Sequence, residues 1–328
     1  MGKVIKIPIG HQSRETWVAE RQTYLGGSDV GTVFGLNDYM SRVELFYQKL
    51  GEITLNPDNS YAFMGRFFEE PIAQLFKYWD GDTDSVVNNY NAGRVIRDVR
   101  RTNFRYVHED YPWISCNLDR FFKEQNGRRG LIDCKNMMYW VERKWEAGIP
   151  PYHVMQVTTY MGVLGMKHSY IVVLVGGNRL EVYPIEFNQE IFDSIVETTR
   201  DFWNRVEQAK ALINKHGWTG NRLVAELSYR GIEPDGENNE AYEAFLKKRQ
   251  TPEEGFRPGT EELLDVARAL EALKGDKDLM VQQEVDYRCQ LLEAIGNSQG
   301  LEWFGTGNKV TWYPNKNGVR TLRLNLVA

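Results

Sequence analysis

The sequence predicts a mixed α+β fold with a smaller unit appended on its C-terminal side. Three observations carry this. Short runs rich in β-branched and aromatic residues cluster between residues 86 and 135 and again at 169–187. Stretches with helical periodicity flank them, at about 61–79, 152–164 and 189–216. From Gly217 the composition turns to segments such as Glu233-Pro234-Asp235-Gly236, so a division into 1–216 and 217–328 is expected.

The chain in order supports these elements. Residues 1 to about 20 read as a short strand followed by a helix start. Gly26-Gly27 permits a tight turn, and Ser28 or Asp29 is expected to cap a helix reaching Phe34. Ser41 caps the next helix, which Gly51 stops near Leu50. Residues 61–79 form a long helix, with Gly65-Arg66-Phe67-Phe68-Glu69-Glu70-Pro71 within it or at a break. Strands are expected at 86–90, 94–98 and 104–108, then at Trp113–Arg120 and Gly130–Lys135. Residues 137–147 read as helix. The helix at 152–164 starts after Pro150-Pro151 and ends at Gly165. A hairpin of 169–175 and 179–187 precedes the helix 189–216. In the appended unit, one or two short helices lie within 217–260. Helices follow at 261–274 and 276–295, then a β-meander at 301–326 with turns at 305–307 and 315–318.

Composition narrows the function. The chain of 328 residues is 42% hydrophobic and 12% aromatic, enough for a sizeable core. No apolar run approaches the roughly 20 residues that span a bilayer, and the residues after Met1 carry no signal-peptide apolar region. Cys116, Cys134 and Cys289 lack paired spacing, which argues for a reducing cytoplasm and against a disulfide framework or an iron–sulfur cluster. A net charge of −5 counts against coating of DNA by bulk charge. Basic clusters at Arg94–Arg105 and Arg120–Arg129 leave room for a local basic channel, or are solvated faces.

The chemistry centres on Trp113–Arg120 and Gly130–Lys135. Strand alternation places Asp133 and Lys135 on one face with Cys134 on the other, and Asp119 with Ser115 and Asn117. Asn126-Gly127 is a hairpin signal. Pairing the two strands would bring Asp119 beside Asp133 and Lys135. Two carboxylates can hold Mg²⁺ with positions left for water and phosphate oxygen. A lysine alongside can orient the attacking water. The bland alternative is an exposed hairpin with a surface Asp–Lys pair. Glu69 or Glu70 offers a third carboxylate, or is one more exposed helical glutamate. The amides of the helix after Gly27, with Arg21 near in sequence, offer an anion site, or an ordinary capped helix.

With these residues placed, about residues 20–205 resemble the YqaJ-like viral recombinases, lambda-exonuclease-type members of the PD-(D/E)xK nucleases. The matching stretches are Arg21 with Leu25-Gly26-Gly27-Ser28-Asp29-Val30, Gly65-x-x-x-Glu69, Asn117-Leu118-Asp119, Ile132-Asp133-Cys134-Lys135, and Ile149-Pro150-Pro151-Tyr152 with Gln156 and Tyr160-Met161. The resemblance implies an α/β/α nuclease core. It implies Asp119 and Asp133 as metal ligands, joined by the Cys134 carbonyl and by Glu69 rather than Glu70. It implies Lys135 as the catalytic lysine, Gln156 as a further catalytic-site residue, and Arg21 and Ser28 as holders of a DNA 5′-phosphate.

The same resemblance implies Mg²⁺, with Mn²⁺ as a substitute, and digestion of duplex DNA from 5′ ends. The 3′ overhang would pass to a single-strand annealing protein, and copies of the chain would form a trimer around DNA. Alternatives are an endonuclease of the same superfamily and an inactive protein that binds DNA ends. A Cas4-like nuclease is disfavoured by the missing cysteine cluster. The chain departs from the family in having Asp rather than Glu at 133, in a long charged segment between Asp119 and Asp133, and in the region 217–328.

Overall fold

The computed structural model describes residues 3–10, 14–53, 60–142, 145, 148–237 and 239–249, and beyond them 268–271, 276, 279–280, 300–303, 308–314 and 320–325. The chain divides into two compact units, Met1–Thr251 and Pro252–Ala328.

The first unit opens with β1 (Val4–Pro8), α1 (Arg14–Arg21), β2 (Leu25–Gly26), α2 (Gly27–Val33) and α3 (Arg42–Leu50). The long helix α4 (Ser60–Phe76) and α5 (Thr83–Asn91) follow. Next come β3 (Arg97–Arg101), β4 (Phe104–His108), β5 (Tyr111–Asn117), β6 (Arg120–Glu124) and β7 (Arg129–Met137). The unit continues through α6 (Tyr139–Glu142), α7 (Pro151–Leu164), β8 (His168–Val175), β9 (Arg179–Glu186), α8 (Gln189–His216), α9 (Gly220–Tyr229) and α10 (Glu240–Arg249).

Two sheets carry the architecture. The larger has the order β3-β6-β7-β8-β9, with β7 and β8 parallel and the other neighbours antiparallel. Alternation along β7 divides its side chains between two cores. Ile132 and Cys134 join Ile72, Phe76 and Val86 of α4 and α5 on one face. Leu131 joins Val157, Tyr160 and Met161 of α7 on the other, with Phe192 and Ile195 of α8 beyond. This is the expected α/β/α core. The parallel β7–β8 pair requires a crossover, and α7 supplies it. The smaller sheet has the order β1-β4-β5-β2.

Most elements fall where the sequence placed them. Glu44 N–H donates to Ser41 Oγ at 3.0 Å at the start of α3, and Gly51 ends that helix with φ +83°. The structure differs from expectation at five places. Residues 86–90 are helical, because Asp82 Oδ1 accepts from Ser85 N–H at 2.7 Å and caps α5. The strand expected at 94–98 runs at Arg97–Arg101 instead. The residue preceding α2 is Gly26, and Asp29 accepts from its N–H at 2.9 Å, so neither Ser28 nor Asp29 is the cap. The strand β7 continues to Met137, leaving α6 to start at Tyr139.

The fifth difference concerns the hairpin. β5 belongs to the smaller sheet, and an extra strand, β6, pairs with β7 across Gln125-Asn126-Gly127. The charged segment that looked like a long loop is that strand. Its register, Arg120 opposite Ile132, still sets Asp119 level with Asp133.

The boundary also moves. Trp218, Leu223, Leu227 and Phe245 pack in one core with Phe46 of α3 and Phe202 and Trp203 of α8. The turn-rich composition after Gly217 marks loops between α9 and α10, and the unit ends at Thr251 rather than at residue 216. In the second unit, β10 (Gly300–Trp303), β11 (Asn308–Pro314) and β12 (Arg320–Asn325) form the expected antiparallel meander. Its expected turns, and most of the helices expected at 261–295, lie outside the described residues. Among the described residues no helix is long and apolar enough to cross a membrane.

Candidate active site

The site is assembled where the chain leaves one sheet for the other. β5 ends at Asn117 and β6 begins at Arg120, so Asp119 lies between them. Its Oδ2 accepts from Cys134 N–H at 2.7 Å, which ties it to β7. Asp133 and Lys135 project from β7 on the α7 side. Lys135 Nζ stands 2.9 Å from Asp133 Oδ2.

Gln156, one turn and a half into α7, joins the pair. Its Nε2 donates to Asp133 Oδ1 at 2.9 Å, and its Oε1 accepts from Lys135 Nζ at 3.3 Å. The amide thus fixes the carboxylate and the ammonium relative to each other. A second contact, Gln156 Nε2 to Tyr160 Oη at 3.2 Å, anchors the amide one turn further along the helix.

Electrostatics distinguish the two glutamates. Glu70 is ion-paired with Arg120 Nη2 at 2.5 Å and is exposed. Glu69 is half-buried. Burial raises its pKa, Arg120 and Arg101 oppose that, and Asp133 adds to it. Glu69 therefore feels the charges of the site and Glu70 serves to hold Arg120. The other guanidinium nitrogen of Arg120 donates to the Asp119 carbonyl at 2.5 Å.

Burial pushes the Asp119 carboxyl up to about 8, with Asp133 and Glu69 adding to the shift. Burial alone would lower Lys135, but Asp133 and Asp119 outweigh it and hold the ammonium charged. The clustered carboxylates repel one another, a condition that a divalent cation relieves.

The residues present fit such an ion. Asp133 Oδ2 is buried, and Lys135 Nζ stands beside it at 2.9 Å. The donors are hard oxygens, as Mg²⁺ requires, and Mg²⁺ needs only one or two carboxylates because it keeps several waters. The full set of three carboxylates expected from the sequence is not closed. Among the described residues no three His, Cys, Asp or Glu side chains converge into a cage. Asp119 is engaged with Cys134 N–H, Asp133 with Gln156, and Glu69 feels Arg120 and Arg101.

Arg21 ends α1, and Ser28 lies in the first turn of α2. Arg21 Nη2 pairs with Asp29 Oδ1 at 2.7 Å, and Lys49 Nζ pairs with Asp29 Oδ2 at 2.8 Å. Ser28 is exposed at the start of α2. Sequence reasoning missed Lys49, Arg120 and the structural part played by Asp29. Only the position of Arg120, next to Asp119, offered a signal.

The comparison with protein families falls on this region. Residues 16–167 match the YqaJ-like viral recombinase domain, a span that begins before Arg21 and ends beyond Gln156. These residues are similar to that domain. A relative, uncharacterized protein YqaJ of Bacillus subtilis (strain 168), is 31% identical over 196 residues, 58% of this chain and 56% of the relative. The match thus spans little more than half of that relative's length.

Solved structures similar to the chain include an alkaline exonuclease from Laribacter hongkongensis, at 16% identity and a TM-score of 0.44 over 62% of this chain and 97% of that one. A phage-related exonuclease from Haemophilus somnus 129PT is similar at 12% identity and a TM-score of 0.38, over 56% and 95% of the respective chains. Likenesses this remote decide nothing about chemistry. The matched span, residues 16–167, contains every residue of the site from Glu69 to Tyr160.

Proposed function

We propose that the chain is a metal-dependent deoxyribonuclease that digests duplex DNA from its 5′ ends and leaves 3′ overhangs for recombination. The observation that carries the reading is the junction of Asp119, Asp133 and Lys135, bound together by Cys134 N–H and the Gln156 amide.

Asp119 and Asp133 would hold the ion, with the Cys134 carbonyl and Glu69 alongside. Mg²⁺, or Mn²⁺ in its place, would supply Lewis-acid neutralisation of phosphate oxygens and a more acidic bound water. The protein's own share is positional. Lys135 holds the attacking water in line with the scissile bond and offsets charge on the phosphate. Gln156 keeps Lys135 and Asp133 at one spacing, and Arg120 fixes the backbone at Asp119. Arg21 and Ser28 would receive the terminal 5′-phosphate. An annealing protein that takes the overhang, a trimer encircling DNA and a cytoplasmic setting belong to the same reading. They rest on family resemblance alone.

The test is linear duplex, labelled at its ends, with Mg²⁺. Release of mononucleotides is expected, falling about 10²-fold or more in Lys135→Ala. Cleavage of closed circular DNA would turn the assignment to an endonuclease. Binding of ends without any metal-dependent product would turn it to an inactive end-binding protein.

A further inference from the structure

Tyr160 touches both parts of the proposed machinery. Its hydroxyl accepts from Gln156 Nε2 at 3.2 Å, and that same nitrogen donates to Asp133 Oδ1. Its ring lies against the chain between Arg21 and Ser28: a Cβ placed on Gly27 would sit 2.2 Å from Tyr160 Cε1. Nothing larger than glycine fits there without displacing the ring. Tyr160 is buried. One side chain therefore spans from the segment bearing Arg21 and Ser28 to the amide that spaces Asp133 and Lys135.

We propose that Tyr160 is a positioning residue that couples occupancy of the Arg21–Ser28 segment by a terminal phosphate to the alignment of Gln156, and through it of Lys135. The proposal rests on the nuclease reading above. Its logic is mechanical. Close-packed interiors transmit small displacements. A shift of the Gly26-Gly27 backbone onto a phosphate would press on the ring, and the hydroxyl carries that motion to the amide. Reactions that depend on orientation respond strongly to displacements well under a bond length.

The experiment compares duplexes with a 5′-phosphate and a 5′-hydroxyl, with kcat and end-binding affinity measured separately in Mg²⁺. The wild-type chain is expected to turn over the phosphorylated end about tenfold faster or more. Tyr160→Phe keeps the ring and removes the hydroxyl. It is expected to bring that kcat ratio close to one while leaving the affinity for phosphorylated ends unchanged. Gly27→Ala, which drives the ring aside, is expected to bring the kcat ratio close to one as well.

Gly31→Ala is the control for helix packing. It crowds Tyr152 at 2.5 Å on the same α2–α7 contact and is expected to leave the ratio intact. An unchanged ratio in Tyr160→Phe overturns the coupling and leaves the nuclease reading standing. So does a wild-type ratio of one. Absence of cleavage on either end by the wild-type chain overturns both.

Discussion

Asp29 is a buried carboxylate held between two cations, and its chemistry is decided by competition. Burial alone would raise its pKa, but Arg21, Lys49 and the Gly26 N–H hold it down at about 2, against 3.8 for a free aspartate. The folded state thus binds this proton less tightly than the unfolded chain. The stabilisation is complete above 3.8 and is lost as pH falls from there through about 2. Urea unfolding at pH 5, 3 and 2 should show it as a falling midpoint. Asp29→Asn leaves two buried cations without their carboxylate and should cost about 3–5 kcal/mol at neutral pH. A variant as stable as the parent at pH 5 would refute the network's importance. At this scale the sequence was partly legible. Alternation alone put Asp133 and Lys135 on one face, because a strand's period of two leaves no choice. Lys49 was not legible, because nothing local marks a lysine whose partner is twenty residues away.

At the scale of elements, capping and turn chemistry identify the helices that begin at Arg42 and Pro151. The same rules, applied to Asp82, would have identified α5. The run Val86–Tyr90 is expected as a strand, and the cap at Asp82 outweighs that expectation. The hairpin was harder. Asn126-Gly127 did mark a turn, yet a turn names its flanking strands only by proximity, and β6 had been passed over as charged loop.

Helix contacts give the sharpest expectation here. A Cβ on Gly162 of α7 would meet Phe192 of α8 at 2.2 Å. Gly162→Ala should therefore overpack the α7–α8 contact and cost about 1–3 kcal/mol. Phe192→Leu in the same chain should return part of that loss, as seen in denaturant midpoints. Simple additivity of the two substitutions would argue against the contact.

At the scale of the whole molecule, the division at Thr251 replaces the one expected at residue 216. A composition shift reports turns, and it cannot tell a loop inside a domain from a linker between two. The core around Trp218, Leu223, Leu227 and Phe245 settles which it is. A chain of residues 1–251 should unfold cooperatively, as followed by near-ultraviolet circular dichroism. A chain of residues 1–216 exposes Phe46, Phe202 and Trp203 and should be less stable or aggregate. Equal stability of the two truncations would reject the boundary.

Asp119 stands on the seam between the two sheets, in the short step from Asn117 to Arg120. Its backbone leads out of β5 in one sheet, while its carboxylate is tied to β7, the strand of Asp133, in the other. The gap between Asp119 and Asp133 works as a vernier for how the sheets are aligned. A slide of one across the other would spoil that gap as surely as replacing the aspartate. On the proposed nuclease reading, the site thereby depends on packing in β1, β4 and β5, whose residues are not among those of the site.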